Sequence, residues 1–151
     1  SLINTMNNAV STIHFMSLDC QGLGDKRKKI QYLNNTQTVF LQETHFTENV
    51  NLSVRSDLQI AIFITLLVNQ TVEGDYNVKQ NNSLYSYDKD VIGRYIILNV
   101  EILSDNYSLI NIYAPIIKRP REHLFTTLQE QIAEKSNGVK ILGGDLNEIE
   151  V

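Results

Sequence analysis

The runs Ser108-Leu109-Ile110-Asn111-Ile112-Tyr113 and Val139-Lys140-Ile141-Leu142-Gly143-Gly144-Asp145-Leu146-Asn147 bracket a stretch of a different period. Each run opens on a short apolar, partly β-branched segment, the composition of a strand buried in a sheet. Between them, Pro120 to Glu134 places Leu124, Phe125, Leu128 and Ile132 at spacings of one, three and four. That is the apolar stripe of an amphipathic helix, and Asn137-Gly138 marks its stop. Ser108 to Tyr113 and Val139 to Leu142 are thus expected as strands joined through a helix, the order of an α/β layered domain.

Outward from this unit the same reading continues. Arg94 to Ile102 is a strand, joined to Ser108–Tyr113 by the turn-forming cluster Ser104-Asp105-Asn106. Asn69 to Asp90 is polar, contains Gly74, Asn81 and Asn82, and reads as a loop or irregular hairpin. Ile60 to Val68 and Thr38 to Glu43 are buried strands. Thr12 to Leu18 is another, ended by Gly22-Leu23-Gly24. Asp25 caps a helix running through Lys26-Arg27-Lys28-Lys29 to Leu33. Strands interleaved with two helices, plus one adjacent strand pair, predict a mixed sheet. Residues 1–151 read as a single domain without internal repeats.

Composition narrows the function classes. The 151 residues are 42% hydrophobic and 20% charged, ordinary for a packed domain and unlike a disordered chain. One cysteine, Cys20, excludes an internal disulfide framework and a cysteine-rich zinc site. The longest apolar run is Ile60 to Val68, too short for a membrane span, and Ser1 to Val10 lacks the basic-then-apolar order of a signal peptide. An intracellular setting, nuclear or cytoplasmic, is expected. A net charge of −4 counts weakly against nucleic acid, because acidic metal ligands offset basic contacts in metal-dependent nucleases.

Three apolar runs end in carboxylates: Leu18-Asp19-Cys20, Gln42-Glu43-Thr44 and Gly144-Asp145-Leu146-Asn147. Taken singly, an acidic residue after a strand is a turn former or helix cap. Strand ends in an α/β sheet gather at one rim, where ligand sites form. Three carboxylates and an amide converging there suit a hard, oxygen-liganded cation such as Mg²⁺, which polarises phosphoryl oxygens.

These runs also resemble the motifs of one family. Ser17-Leu18-Asp19-Cys20-Gln21-Gly22-Leu23-Gly24 resembles the opening Trp-Asn-x-Arg-Gly-Leu motif of the endonuclease/exonuclease/phosphatase superfamily. Val39-Phe40-Leu41-Gln42-Glu43-Thr44-His45 is similar to its Leu-Gln-Glu-Thr-His motif, and Gly143-Gly144-Asp145-Leu146-Asn147 to its Gly-Gly-Asp-Phe-Asn motif. Gly93-Arg94-Tyr95 and Asn111-Ile112-Tyr113-Ala114-Pro115 match the central strands. The wording is most similar to the endonuclease domain of LINE-like (non-LTR) retrotransposons, which nicks target DNA before reverse transcription.

The resemblance implies a DNase I-like, four-layer α/β sandwich and Mg²⁺-dependent phosphodiester hydrolysis, with Mn²⁺ as a substitute and DNA as the substrate. It implies Glu43 as principal metal ligand with Asp19 beside it, and Asp145 as the base that orients or deprotonates water. Asn147 is implied at the scissile phosphate or its water, Tyr113 as a phosphate contact through its hydroxyl, and Arg94 as a structural or phosphate contact. It also implies a reverse transcriptase region in the parent polyprotein.

Two departures matter. The family's first-motif asparagine is Asp19 here, adding a negative charge where the family has an amide. The family also continues past the Gly-Gly-Asp segment into further acidic residues and a Ser-Asp-His motif, whereas this sequence stops at Val151. The chain is therefore expected to be truncated, with one sheet missing and an exposed sheet face that promotes self-association.

Ile60-Ala61-Ile62-Phe63-Ile64 stands where the family has a Gly-Val-Ala-Ile-Leu-like segment. None of His14, His45 or His123 stands where the missing catalytic histidine would be. Lys26–Lys29 and Lys118-Arg119-Pro120-Arg121 read as solvated faces before DNA contacts. Cys20 reads as an inert small residue. Two alternatives to the nuclease stay open: an inactive retroelement-derived fragment, and a phosphatase of the same superfamily.

Overall fold

The structure, a computed structural model, describes residues 13–19, 38–42, 62–65, 75–78 and 83–148. They form two four-stranded sheets and a helix. The first sheet has the order β1 (Phe15–Asp19), β2 (Thr38–Gln42), β3 (Ile62–Thr65), β4 (Asp75–Val78). β1, β2 and β3 are parallel and β4 is antiparallel to β3. The second has the order β5 (Ser83–Lys89), β6 (Tyr95–Ile102), β7 (Asp105–Tyr113), β8 (Val139–Asp145). Here β5, β6 and β7 are antiparallel, and β8 runs parallel to β7 after the crossover helix α1 (Lys118–Lys135).

The sheets pack face to face, with β1 and β2 against β8 and β2 against β7. The period of two decides which residues meet. Ile96, Leu98, Val100, Ile102 and Leu109 point inward and bury against Phe40 and Ile64 of the first sheet. Phe15 stacks on Phe40 at 6.5 Å between ring centroids, closing the core at the β1 edge. The alternate residues Tyr95, Ile97, Ile110 and Ile112 point outward and are covered by Leu124 and Leu128 of α1. β6 and β7 are sandwiched on both faces and read as continuous apolar runs for that reason. β2 is likewise buried along its whole length.

The α/β sandwich and its mixed sheets are as expected; β2, β3 and β6 fall within the predicted runs, and β1, β7, α1 and β8 overlap theirs but extend one to three residues past an end. Three expectations are corrected. Residues 69–90 contain two strands instead of a loop or hairpin. β4 joins the first sheet and β5 the second, so they do not pair with each other. β5 escaped detection because an edge strand leaves its side chains in solvent, and Leu84, Tyr85 and Tyr87 are all exposed.

The β6–β7 turn is Leu103-Ser104, one step earlier than predicted, because Asp105 still pairs with Ile102. Both turn residues have positive φ, 50° and 70°, the backbone of the tight hairpin turn that matches strand twist.

Nor do the described residues form a single sheet: there are two, packed on one another through β1, β2, β7 and β8. The apolar side chains that remain exposed include Val139 on β8 and, on the opposite face, Leu142 beside Leu146. The helix expected over Asp25–Leu33 lies outside the described residues. Among the described residues no helix is long and apolar enough to cross a membrane.

Candidate active site

The carboxyl ends of β1, β2, β7 and β8 meet at one rim of the sandwich. The registers put them there: Asp19 is opposite Gln42, and Tyr113 is opposite Asp145. Gln42 reaches across to Asn111, two residues before Tyr113, with its Nε2 donating to Asn111 Oδ1 at 2.6 Å. Asp19, Tyr113 and Asp145 thus arrive at the same end, from two different sheets.

Asp145 and Asn147 are fixed by a small hydrogen-bond network around Ala114. The Ala114 N–H donates to the Asp145 carbonyl at 2.8 Å, and Asn147 Nδ2 donates to the Ala114 carbonyl at 2.7 Å. The Asn147 N–H donates to Asp145 Oδ1 at 2.9 Å, which orients the carboxylate. Asn147 has φ 48°, a left-handed conformation that asparagine accepts better than most residues. Gly144 before it has φ 138°, and a Cβ there would sit 2.0 Å from the Ile112 carbonyl oxygen. The Gly-Gly-Asp-Leu-Asn segment is therefore shaped to turn sharply off β8 while hugging β7.

Arg121 ties this turn to the β7–α1 connection, its Nη1 donating to the carbonyls of Asn147 at 2.7 Å and Ile116 at 2.8 Å. The sequence reading placed Arg121 in a solvated basic face. The structure makes it half-buried and internal, while Lys118 is an exposed partner of Glu122 at 3.7 Å. An arginine one turn into a helix, just after a proline, carried no signal that would have separated it from its basic neighbours.

Tyr113 packs its ring against the inter-sheet core. The Arg94 guanidinium lies 5.3 Å from the ring centroid, a cation–π contact, and its Nη1 donates weakly to the Tyr113 carbonyl at 3.4 Å. The Tyr113 N–H donates to the Arg94 carbonyl at 2.8 Å. Arg94 thus packs on and bonds to Tyr113.

Beside this pair lies a cavity of about 690 Å³ walled by Ile92, Tyr95, Pro115, Ile117, His123 and Leu124 among others. Burial first, then the nearby Asp88 and Asp90, hold the Tyr95 hydroxyl above the ordinary tyrosine value. His123 is exposed on the cavity wall, and His14 is exposed just before β1.

Of the predicted metal ligands, Asp19 is exposed at the end of β1. Glu43, Cys20, His45 and Lys26–Lys29 lie outside the described residues. Among the described residues no group of three or more His, Cys, Asp or Glu side chains gathers closely enough to hold a metal ion. The donors present at the rim, the carboxylates of Asp19 and Asp145 and the amide of Asn147, are hard oxygen ligands of the kind Mg²⁺ takes.

No family model matches the sequence, and no curated protein matches it. Solved structures do. TDP2 of D. rerio, complexed with a single-strand DNA product, superposes with a TM-score of 0.71 at 15% identity, covering 93% of this chain and 63% of that one. Truncated TDP2 of Caenorhabditis elegans gives 0.60 at 19% identity, over 91% and 63%. The endonuclease domain of TRAS1, a telomere-specific non-LTR retrotransposon, gives 0.63 at 13% identity, over 92% and 61%. At these identities the likeness shows the fold, which is the fold implied by the family resemblance. The chain spans 61–63% of the length of these three structures.

Proposed function

We propose that this chain carries the phosphodiester-hydrolysing rim of a DNA-nicking endonuclease domain of the retroelement type. The observation that carries the reading is the Asp145–Asn147–Ala114 network, which holds a carboxylate and an amide side by side at the rim. The single-strand DNA product in the D. rerio structure and the retrotransposon origin of TRAS1 support DNA as substrate and a retroelement source; a reverse transcriptase region in the parent polyprotein is part of the same reading.

In this reading Glu43 and Asp19 would hold Mg²⁺ or Mn²⁺, whose charge would lower the cost of the negative phosphoryl oxygens. Asp145, its Oδ1 already oriented by the Asn147 N–H, takes a proton from water as that water attacks phosphorus. One P–O bond breaks as the new one forms, and the leaving oxygen is protonated from solvent. The Asn147 side chain borders the phosphate, and the Tyr113 hydroxyl donates to a phosphate oxygen, with Arg94 stiffening its ring. Positioning of this kind accounts for a large share of the rate in phosphoryl transfer.

Relaxation of supercoiled plasmid by the purified chain in Mg²⁺ or Mn²⁺, beside Asp145→Ala, tests this. Metal-dependent nicking lowered at least about 100-fold in the variant is expected for loss of a general base. Nicking that survives the substitution, or needs no metal, overturns the proposal. A second reading, an inactive fragment, draws on the share of the matched structures that this chain spans. A folded chain that never nicks is its expected result.

A further inference from the structure

We infer that Asn111 is a positioning residue that sets the register between the two sheets and so holds the two halves of the site at working distance. The inference rests on the proposed function, because it concerns how that rim is assembled. The proposed groups are divided: Asp19 ends β1 of the first sheet, and Tyr113, Asp145 and Asn147 stand at the ends of β7 and β8 of the second. Metal, phosphate and water chemistry tolerates misplacement on the order of 1 Å poorly. Something must therefore fix one sheet against the other along the strand direction.

Apolar packing does this incompletely, because burial is non-directional. The inner faces near the site meet through Phe40, Ile64, Leu109 and their neighbours, all aliphatic or aromatic. Asn111 adds direction. Its side chain is wholly buried, at 0% exposure. Nδ2 donates to the carbonyls of Leu41 at 3.0 Å and Ile64 at 3.2 Å, each on the opposite sheet. Oδ1 accepts from Gln42 Nε2 at 2.6 Å, and the same Nε2 lies 3.3 Å from Ser17 Oγ. One amide on β7 thereby reaches β2 and β3 directly, and β1 through Gln42. Such bonds weaken steeply with misalignment, so a slip of the sheets costs all three together.

The clamp also sits at the right height. Asn111 precedes Tyr113 by two residues and is in register with Gly143, which precedes Asp145 by two. Gln42 is in register with Asp19 and adjoins Glu43 in sequence. The bridge therefore lies roughly 7 Å below the rim on β7 and β8, two residues of strand rise. Gly143 supplies a steric stop at the same level: a Cβ there would lie 2.6 Å from Phe40 Cγ, so β8 rests directly on the Phe40 ring.

Asn111→Leu keeps the side-chain volume and removes the bridge. Gln42→Leu removes one arm of it and decides the matter if Asn111→Leu does not fold. Single-turnover nicking is measured as a function of Mg²⁺, with the folded fraction read by circular dichroism. The expected result is a rate per folded molecule lowered at least about 10-fold, as for displaced reacting groups. The Mg²⁺ concentration for half-maximal rate should rise several-fold, with the DNA KM within twofold of wild type. A purely structural role would lower the active fraction and leave the Mg²⁺ midpoint and the rate per folded molecule unchanged. That outcome, in whichever variant folds, overturns the inference while the proposed function stands. A wild-type chain that does not nick overturns the proposed function, and this inference with it.

Discussion

Two buried asparagines on neighbouring strands of the second sheet face opposite ways and do different work. Asn111 on β7 points inward and bonds across the sandwich, below the candidate site. Asn99 on β6 points outward, toward the far end of α1. Its Nδ2 donates to the carbonyl of Lys135 at 2.7 Å and to Ser86 Oγ at 2.9 Å, and its Oδ1 accepts from Ser108 Oγ at 2.5 Å. Ser108 Oγ in turn accepts from the Asn137 N–H at 2.6 Å. Asn99 thus supplies a partner to a carbonyl that the end of α1 leaves unsatisfied. Both amides are paired, as burial demands. One ties sheet to sheet below the candidate site, and the other ties helix to sheet away from it. Burial and residue type alone would not tell them apart. Their partners do.

The sharpest way to break this contrast is Gly143→Ala. The new methyl would meet the Phe40 ring, whose base is fixed in the core, and would wedge the sheets apart beside Asn111. Overpacking of this kind costs about 1–3 kcal/mol, and equilibrium urea unfolding should show it. The nicking rate per folded molecule should fall as well. A variant as stable and active as wild type would mean that the approach of β8 to β2 is not a constraint.

Asn99→Leu sharpens the contrast from the other side. It removes the amide that pairs with the Lys135 carbonyl, while Ser108 Oγ keeps its bonds to Asn137, a loss of about 1–3 kcal/mol in urea unfolding. Nicking per folded molecule should be unchanged. A shifted Mg²⁺ midpoint in this variant would erase the distinction drawn here. The smallest effect belongs to a site remote from both amides. Ser104 holds φ 70° in the β6–β7 turn, and Ser104→Gly should relieve that strain and stabilise by about 0.5–1 kcal/mol in the same assay. No gain would indicate that the turn backbone is not strained.

Much of the fold was legible because the strands that build it are buried on both faces. β2, β6 and β7 announce themselves as apolar runs, and α1 by the spacing of Leu124, Phe125, Leu128 and Ile132. The strands that went unread are β4 and β5, each at a sheet edge. The expectation of a missing sheet came from the family motifs beyond the Gly-Gly-Asp segment, whereas the described strands build two sheets, the first four one and the next four the other.

The rim was legible in part. Asp145, Asn147 and Tyr113 were expected together, and β7 and β8 bring them together. Gln42 and Asn111 lay inside quoted motifs, yet nothing in one dimension shows that residues 42 and 111 touch. Arg121 was invisible for the same reason, since a cation that turns inward to cap two carbonyls reads like one that faces water.

The central claim is that the inward amide serves the site and the outward one only the fold. The most direct measurement sets Asn111→Leu beside Asn99→Leu in one single-turnover nicking assay, each rate divided by its folded fraction. The account predicts a rate lowered at least about 10-fold for the first and unchanged for the second. Equal rates in the two variants, whether both intact or both lost, would contradict it.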